Sequence, residues 1–254
     1  MDVRGRVVVV TGGGGGIGGA LCRRFAVEGA RAVVVADVDQ ASAARVAAEV
    51  DGTALVADVT AEKEVRDLVA RVLEAQGHID IYCSNAGIAV GGGPEAPDEA
   101  WQHSWQVNTL AHVYAARAVL PSMLARGQGY LVGTISAAGL LNHLTAAPYA
   151  VTKAAGLSLF EWLAIAHHEQ GIRVSVVCPQ GVRTRMLEQE GERSFLAAGA
   201  IEPEQVAEAV VQGLHEERFL ILPHPEVAEY FGRKASDYDR WLRGMRRLRA
   251  RALG

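Results

Sequence analysis

The sequence is poor in the features that mark secreted and membrane proteins. Its 254 residues include three cysteines, Cys22, Cys83 and Cys178, which lie in separate apolar stretches without paired spacing. We therefore expect reduced core thiols in a cytoplasmic protein, and no disulfide framework. No apolar run approaches the roughly 18 residues of a membrane span, so no membrane partner is expected. The N-terminal segment MDVRGRVVVV lacks the long apolar region of a signal peptide.

The chain also lacks a strong overall charge. Its formal net charge is −4, which favours no polyanionic partner such as nucleic acid. Eight Lys or Arg residues nevertheless stand against four Asp or Glu residues between Ile221 and Gly254. Trp241, Met245 and Leu248 recur there at positions i, i+4 and i+7, which predicts a basic amphipathic helix within residues 224–254. We expect its apolar stripe to dock on the core or on a sister subunit; nucleic-acid binding is the weaker alternative.

Short apolar runs alternate with helical patterns through most of the chain. Half of the residues are hydrophobic, which is enough for a sizeable core. Most runs are continuously apolar, as in strands that are covered on both faces, and strand–helix alternation implies parallel pairing. We predict a single α/β domain over residues 1–254, with an open, mostly parallel sheet between two layers of helices. The predicted strands are residues 6–11, 31–37, 53–58, 79–85, 129–136, 172–179 and 218–223.

The stretch TGGGGGIGG, residues 11–19, follows the first predicted strand directly. A glycine run is often a flexible linker, but this one leads into a predicted helix. The N-terminus of a helix offers unpaired N–H groups to a pyrophosphate, and glycine lets the phosphates approach the backbone. The run fits several registers of the dinucleotide fingerprint G-x-G-x-x-G. Its position therefore predicts a dinucleotide site, although the motif alone is only moderately specific.

Asp37 ends the second predicted strand, about 20 residues beyond the glycines. In dinucleotide-binding folds an acidic residue at this point accepts hydrogen bonds from the adenosine ribose and repels the extra phosphate of NADP. No Lys or Arg occurs in residues 37–40 or in the glycine loop, so the sequence favours NAD. An ordinary residue at a strand end is the alternative. Asp58 ends the third strand; Thr60 could cap the next helix, which is compatible with an adenine contact.

Tyr149 and Lys153 are four residues apart and would share one face of a helix. A tyrosine has an unperturbed pKa near 10, and a neighbouring lysine cation lowers it. Such a pair can exchange a proton with an alcohol or a carbonyl oxygen. Ser136, at the end of the fifth predicted strand, can hydrogen-bond the same oxygen.

Taken together, these residues resemble the short-chain dehydrogenase/reductase family over roughly residues 5–190. The resemblance implies a Rossmann-like, doubly wound fold with a seven-stranded sheet, NAD across its carboxyl edge, and hydride transfer between the nicotinamide and a secondary alcohol carbon. The motifs that carry it are Thr11-Gly12-x-x-x-Gly16-Ile17-Gly18, Asp37, Asp58, Asn85-Ala86-Gly87, Asn108, Ser136, Tyr149-x-x-x-Lys153 and a proline–glycine segment after the sixth strand.

The same resemblance implies a role for each site residue. Tyr149 is the acid/base, Ser136 positions the substrate oxygen, and Lys153 binds the nicotinamide ribose and lowers the tyrosine pKa. Asn108 holds a water in a proton relay that reaches Lys153. The implied cofactor contacts are Gly12, Gly14, Gly16, Ile17, Gly18, Asp37, Asp58, Val59, Asn85, Ala86, Gly87, Tyr149, Lys153, Pro179, Gly181, Val182 and Thr184.

The substrate contacts are less well determined by the sequence. Gln180 stands where the family usually has a glycine directly after the proline, and it could point into the cleft or face the surface. Residues 185–203 correspond to the family's substrate loop and are long enough to act as a lid. The other residues expected to line the substrate pocket are mostly small or apolar, which favours a hydrophobic or alicyclic substrate. They are Val90, Ala137, Ala138, Leu140, Leu141 and His143. The predicted substrate contacts are Ser136, Ala138, His143, Tyr149, Gln180 and Phe195.

Assembly and function are predicted partly by the same resemblance. Helices near residues 107–126 and 148–168 correspond to the family's main dimer contact, so a homotetramer or homodimer is expected. His167 and His168 lack further ligand spacing, and no metal is predicted. Because all four tetrad positions are present, we expect an NAD-dependent alcohol dehydrogenase or ketone reductase. A non-catalytic NAD(H)-binding sensor or scaffold is the alternative.

Overall fold

A computed structural model describes residues 1–190 and 196–253. Within them, seven strands form one sheet in the order β3-β2-β1-β4-β5-β6-β7, and every pairing is parallel. The sheet is thus entirely parallel where the sequence predicts a mostly parallel one. The strands are β1 (Val7–Thr11), β2 (Ala32–Asp37), β3 (Thr53–Val56), β4 (Ile81–Ser84), β5 (Gly129–Thr134), β6 (Ile172–Val177) and β7 (Leu220–Ile221).

Helices cover both faces of this sheet. The helices are α1 (Gly16–Val27), α2 (Gln40–Glu49), α3 (Glu62–Gln76), α4 (Asp98–Trp105), α5 (Ala111–Arg126), α6 (Ala137–Leu141), α7 (Ala147–His167), α8 (Arg185–Glu190), α9 (Pro203–His215), α10 (Glu226–Ser236) and α11 (Tyr238–Leu253). A π-helical turn over Gln106–Leu110 joins α4 to α5.

The alternation of side chains along β1 explains why two layers of helices are needed. Every residue of the strand is buried. Val7 and Val9 pack into a core with α3, α5 and α7, whereas Val8 and Val10 pack into a second core with α1, α2 and α9. A strand that is apolar on both faces must be covered on both, and this accounts for the continuous apolar runs in the sequence.

Several elements end earlier than the sequence predicts. β4 ends at Ser84 and β5 at Thr134, so Asn85 and Ser136 lie in the loops beyond the strand ends. The last strand has two residues instead of the six of 218–223. The predicted helix over 224–254 is two helices, because the backbone of Asp237 is extended and its carboxylate accepts the N–H of Arg240 at 2.8 Å.

Two further predictions concern the lid segment and the three cysteines. The lid segment 185–203 contains α8 and a short 3₁₀ turn at Ala197–Gly199, while Phe195 lies outside the described residues. Cys22, Cys83 and Cys178 are buried free thiols, as expected. No helix of the described chain is long and apolar enough to span a membrane.

Candidate active site

The carboxyl ends of the strands open into a cleft of about 1610 Å³. It lies where the strand order reverses between β1 and β4, the usual place for a ligand in an open parallel sheet. The predicted site residues that line it are Gly12, Gly14, Gly16, Ile17, Gly18, Asp37, Asp58, Val59, Asn85, Ala86, Gly87, Ser136, Ala138, His143, Tyr149, Lys153, Pro179, Gln180, Gly181, Val182 and Thr184.

The glycine loop connects β1 to α1 without side chains at its crowded points. A Cβ on Gly14 would lie 2.7 Å from the Cβ of Ser42 and 2.8 Å from Oδ2 of Asp37. A Cβ on Gly18 would collide with the carbonyl oxygen of Gly12, whereas one on Gly15 would meet nothing within 4 Å. The loop therefore requires glycine at positions 14 and 18 and leaves room for a side chain at position 15.

Asp37 is aimed at this loop. Its Oδ2 accepts the N–H of Gly14 at 2.9 Å and its Oδ1 accepts the N–H of Asp39 at 3.0 Å. An aspartate at the end of β2 thus stands beside the phosphate-binding turn, where dinucleotide folds hold the adenosine ribose.

Arg45 is a charged residue of this end of the cleft that the sequence analysis missed. Its Nη2 donates to the carbonyl oxygen of Gly14 at 2.8 Å, and its Nη1 pairs with Glu49 at 2.9 Å. Arg45 lies beyond residues 37–40, in which the sequence has no cation, but α2 turns Ser42 and Arg45 toward the glycines. No signal in the sequence connects Arg45 with Gly14, because the contact depends on how α2 packs beside the glycine loop.

Asp58 makes a local turn rather than a helix cap. Its Oδ1 accepts both the N–H and the hydroxyl of Thr60, each at 2.8 Å. α3 begins two residues after Thr60, with Ala61 as its N-cap and no side-chain cap bond, so the expectation that Thr60 caps this helix is wrong. The Asp58–Val59 backbone lines the cleft.

Asn85 joins three strands at the centre of the site. Its Nδ2 donates to the carbonyl oxygen of Thr11 at 3.0 Å, and its Oδ1 accepts the hydroxyl of Thr134 at 2.9 Å. Its N–H donates to the hydroxyl of Thr11 at 3.0 Å. These bonds hold the ends of β1, β4 and β5 in register beneath the cleft.

Tyr149 and Lys153 lie on one face of α7, as their spacing predicts. The Nζ of Lys153 is 5.8 Å from the centroid of the Tyr149 ring and donates to the carbonyl oxygen of Thr134 at 2.9 Å. Lys153 is only 2% exposed, and burial lowers its pKa from 10.5 to about 8. His143 meets the Tyr149 ring edge to face, with centroids 6.1 Å apart.

Ser136 is placed by the junction of β5 and α6. Its Oγ accepts the N–H of Ala138 at 3.0 Å, which caps α6, and donates to the carbonyl oxygen of Pro179 at 3.4 Å. The hydroxyl therefore sits between the ends of β5 and β6, and both Ser136 and Tyr149 line the same cleft.

Asn108 lies behind the cleft instead of lining it. It belongs to the π-helical turn, where its Oδ1 accepts the N–H of Ile88 at 3.0 Å and its Nδ2 donates to the Ile88 carbonyl at 2.9 Å. A Cβ on Gly87 would be 3.1 Å from Nζ of Lys153 and 3.3 Å from Oδ1 of Asn108. The fold thus brings Asn108 and Lys153 together around Gly87.

His112 is a buried polar residue that no sequence signal singled out. Its Nδ1 lies 2.7 Å from the hydroxyl of Ser84, and its Nε2 has no hydrogen-bond partner among residues 1–190 and 196–253. Burial, together with the Lys153 cation, lowers its pKa to about 3. A neutral imidazole therefore packs against Phe160 of α7 at neutral pH.

Gln180 neither reaches freely into the cleft nor faces the surface. Its N–H donates to Nδ1 of His224 at 3.1 Å, and its Nε2 donates to Oε1 of Glu226 at 2.7 Å. The residue that departs from the family pattern thus fastens the end of β6 to the start of α10. Thr184 lies across from the glycine loop, since a Cβ on Gly16 would be 3.2 Å from its methyl group.

The two C-terminal helices form a roof over one end of the cleft. Lys234 on α10 donates to the carbonyl oxygen of Leu140 at 2.6 Å, and Arg249 on α11 donates to that of Leu144 at 3.0 Å. Trp241 packs against the core. The expected docking on the core is thus observed for Trp241, and the stripe also lines the cleft; docking on a sister subunit stays a prediction.

A separate group of possible metal ligands lies on the surface. Ligand atoms of Asp2, Glu28 and His215 are all within 4.8 Å of one another. None of the three lines the cleft, so this group is not part of the candidate active site.

Comparison with known proteins identifies the family. The model of the short chain dehydrogenase family matches residues 6–194. The chain belongs to the short-chain dehydrogenase/reductase family. It is therefore an oxidoreductase, and its family binds a nicotinamide dinucleotide.

Individual relatives cover most of the chain. A 1-deoxy-11-beta-hydroxypentalenate dehydrogenase of Streptomyces exfoliatus is 36% identical, over 89% of this chain and 86% of the relative. A meso-2,3-butanediol dehydrogenase of Serratia marcescens is also 36% identical, over 82% of this chain and 86% of the relative. A solved short-chain dehydrogenase/reductase of Burkholderia phymatum in complex with NAD has a TM-score of 0.86 at 27% identity, over 94% of this chain and 96% of that chain.

Proposed function

We propose that this chain is an NAD-dependent dehydrogenase that interconverts a secondary alcohol and a ketone. The observation that carries the proposal is a single cleft whose two ends match the two halves of the reaction. The glycine loop and Asp37 lie at one end, and Ser136, Tyr149 and Lys153 lie at the other. Three of the four tetrad residues implied by the resemblance, Ser136, Tyr149 and Lys153, thus share one continuous space with the implied cofactor contacts, while Asn108 lies behind it.

The residues at the first end fit a dinucleotide. Neighbouring atoms leave no room for a side chain at Gly14 or Gly18. The backbone at the N-terminus of α1 is therefore open to a pyrophosphate, which the helix N-terminus favours. Asp37 would hold the adenosine ribose and repel a phosphate on it, which favours NAD. Val182 and Thr184 would hold the carboxamide of the nicotinamide. When bound, the nicotinamide supplies the hydride acceptor for oxidation or the donor for reduction.

The protein's own part of the reaction is proton transfer and positioning. Ser136 would hold the substrate oxygen by a hydrogen bond, and Tyr149 would accept its proton in oxidation or donate one in reduction. The Lys153 cation would favour the phenolate of Tyr149. Asn108, close to Lys153 around Gly87, would anchor the water through which the proton leaves.

The second end of the cleft is apolar, and we propose that it selects the substrate without taking part in the proton transfer. Leu141, Leu144, Trp241, Met245 and Leu248 line the second end of the cleft. We propose a hydrophobic or alicyclic secondary alcohol as substrate. The similarity to a dehydrogenase named for 1-deoxy-11-beta-hydroxypentalenate supports a hydroxylated substrate of this kind.

We further propose a homodimer or homotetramer built on α5 and α7. Trp162 and Ile165 on α7 are 59% and 82% exposed. Beside them lies an apolar recess of about 290 Å³, lined in part by Val113, Leu120 and Leu159. A cytoplasmic location remains our proposal, in keeping with three buried free thiols.

A plate of secondary alcohols with NAD⁺ or NADP⁺ tests the function. Linear, cyclic, aromatic and polycyclic alcohols are compared by the absorbance of the reduced cofactor. We expect one apolar subclass to reduce NAD⁺. Tyr149→Phe should lower turnover of that alcohol by about 10²-fold or more while NADH still binds. Turnover that survives this substitution would remove Tyr149 from the chemistry.

A further inference from the structure

Two arginines on α11 line the cleft without a partner. Arg240 and Arg247 both face the cavity, and the side chain of neither makes a hydrogen bond or an ion pair within residues 1–190 and 196–253. Arg233 on α10 also lines the cleft, but it is paired with Glu229. Two cationic groups are therefore available to a ligand.

These arginines belong to the substrate end of the cleft. The roof is fastened to carbonyl oxygens of Leu140 and Leu144, in the segment that follows Ser136. The neighbouring His143 contacts the ring of Tyr149. The ribose end, with Asp37 and the glycine loop, is contacted by α2 instead.

No acidic side chain of the described chain neutralises the two arginines. The acidic residues that line the cleft are Asp37, Asp39, Asp58 and Asp237. The first three follow β2 and β3, at the ribose end. Asp237 uses its Oδ1 to accept the N–H of Arg240 in the first turn of α11.

The same face of α11 presents apolar groups beside the two cations. Trp241, Met245 and Leu248 line the cleft with Arg240 and Arg247. Residues spaced three and four apart share one face of a helix, so these five side chains form one surface. Such a surface matches a ligand with an apolar body and a negative charge.

We propose that Arg240 and Arg247 form a carboxylate subsite, and that the substrate is a hydrophobic alcohol or ketone bearing a carboxylate remote from the reacting carbon. Guanidinium groups bind carboxylates through paired, charge-assisted hydrogen bonds. The apolar body would lie on Trp241, Met245 and Leu248, with its reacting carbon toward Tyr149. That the reacting carbon carries an alcohol or a ketone rests on the proposed function. The carboxylate subsite itself rests on the side chains of α11.

Binding of non-reacting probes to the NADH-loaded protein tests the subsite by calorimetry. Adamantaneacetate carries the carboxylate, and adamantane-ethanol has a similar body without charge. We expect the acid to bind about fivefold more tightly or better, as for a partly exposed, charge-assisted pair. Arg240→Gln with Arg247→Gln should abolish this difference. Unchanged NADH affinity verifies the fold, and the two single variants replace the double one if it fails to fold.

The matched control is Arg243→Gln with Arg246→Gln on the same helix. Arg243 and Arg246 are exposed, as Arg240 and Arg247 are, but they do not line the cleft. Their substitution removes the same number of positive charges from α11. We expect this control to keep the preference for the acid. Equal binding of acid and alcohol by the parent, no binding of either, or an equal loss in the control would overturn the subsite. Tighter binding of the matching phosphonate than of the acid would overturn the carboxylate assignment.

The subsite and the proposed function fail separately. The probes do not react, so the calorimetry is independent of turnover. Turnover that survives Tyr149→Phe would count against the proposed function while the acid preference persisted. Conversely, an active enzyme that binds acid and alcohol alike would retain the function and lose the subsite.

Discussion

Lys153 holds a positive charge in a place where burial disfavours it. Its Nζ has the carbonyl oxygen of Thr134 as a hydrogen-bond acceptor, yet the side chain is almost fully buried. The resulting pKa of about 8 lies well below the ordinary 10.5. At neutral pH the cation therefore destabilises the fold while it serves the proposed chemistry, a trade that is common at catalytic sites.

Replacement of Lys153 by methionine should stabilise the protein at pH 7, by about 1–3 kcal/mol if most of the pKa shift is recovered. Because the folded pKa lies below the unfolded one, the unfolded state binds more protons between pH 8 and 10.5, and the parent gains stability as pH rises through that window. The variant should lack this gain. Urea unfolding at pH 7 and pH 10, at fixed protein concentration, measures both effects.

Lys63→Met is the control for that experiment, because the side chain of Lys63 is 76% exposed and pairs with Asp67 on the surface. It should leave the stability at pH 7 nearly unchanged. A Lys153→Met protein that is less stable than the parent at pH 7 would show that the hydrogen bond to Thr134 outweighs the cost of burial.

We expect Asp37 and Arg45 to act in opposite directions on a phosphate at the adenosine ribose. Asp37→Asn removes the negative charge but keeps an oxygen for the N–H of Gly14. We expect the ratio of kcat/KM for NADP⁺ to that for NAD⁺ to rise about tenfold, since one repulsive charge near a surface is worth about 1–4 kcal/mol.

Arg45 provides the second arm of the cofactor experiment. Once Asp37 is neutral, the guanidinium beside Gly14 can pair with the extra phosphate. Adding Arg45→Gln to Asp37→Asn should therefore reverse most of the gain with NADP⁺. An unchanged cofactor ratio in Asp37→Asn would contradict the placement of the ribose at Asp37.

At the scale of elements, neighbouring positions of the glycine loop differ in the space they leave for a side chain. Gly18→Ala puts a methyl group against the carbonyl of Gly12, while Gly15 has open space and an extended backbone that any residue adopts. We expect Gly18→Ala to cost about 2 kcal/mol or more in stability and to weaken NADH binding severely.

Gly15→Ala is the matched control in the same loop. It adds the same methyl group and should change the unfolding midpoint little. Thermal unfolding and an NADH titration, run on both variants, distinguish the effects. Equal behaviour of the two variants would mean that the loop adjusts its backbone and that crowding at Gly18 does not exclude a side chain.

In the C-terminal segment the apolar periodicity predicts a helix but does not show where that helix is interrupted. The apolar spacing of Trp241, Met245 and Leu248 predicts a helix correctly, but not the break that precedes it. Asp237 was a recognisable N-cap signal, because its carboxylate can take an orphan N–H at a helix start. The break separates α10 from α11, and residues of both helices line the cleft.

At the scale of the whole molecule, the exposed apolar face of α7 predicts assembly. Trp162→Glu with Ile165→Glu should convert the parent dimer or tetramer to a smaller species, because two buried charges in an apolar interface are strongly unfavourable. Light scattering after gel filtration measures the mass. Val27→Glu is the control, since Val27 on α1 is 79% exposed and lies away from α5 and α7.

We expect cofactor binding to be independent of assembly. The roof formed by α10 and α11 covers the cleft of its own chain. A monomeric Trp162→Glu, Ile165→Glu variant with an intact cleft should therefore still bind NADH. A parent that is already monomeric would contradict the proposed interface.

The sequence alone determined the fold class, the parallel pairing of the strands and the places of the glycine loop, Asp37, Tyr149 and Lys153, for a physical reason. Runs such as β1 must be covered on both faces, and the glycines, Asp37 and the Tyr149–Lys153 pair follow local geometry that their own spacing specifies. These features depend on neighbours along the chain, so a single sequence contains them.

Only the tertiary structure decided which distant groups meet. The approach of Arg45 to Gly14, the bond from Gln180 to Glu226 and the burial of His112 against Ser84 join residues from separate elements. The position of α11 over the cleft is of the same kind, because it follows from packing on Leu140 and Leu144. No periodicity records such contacts; they arise when the helices pack on the sheet.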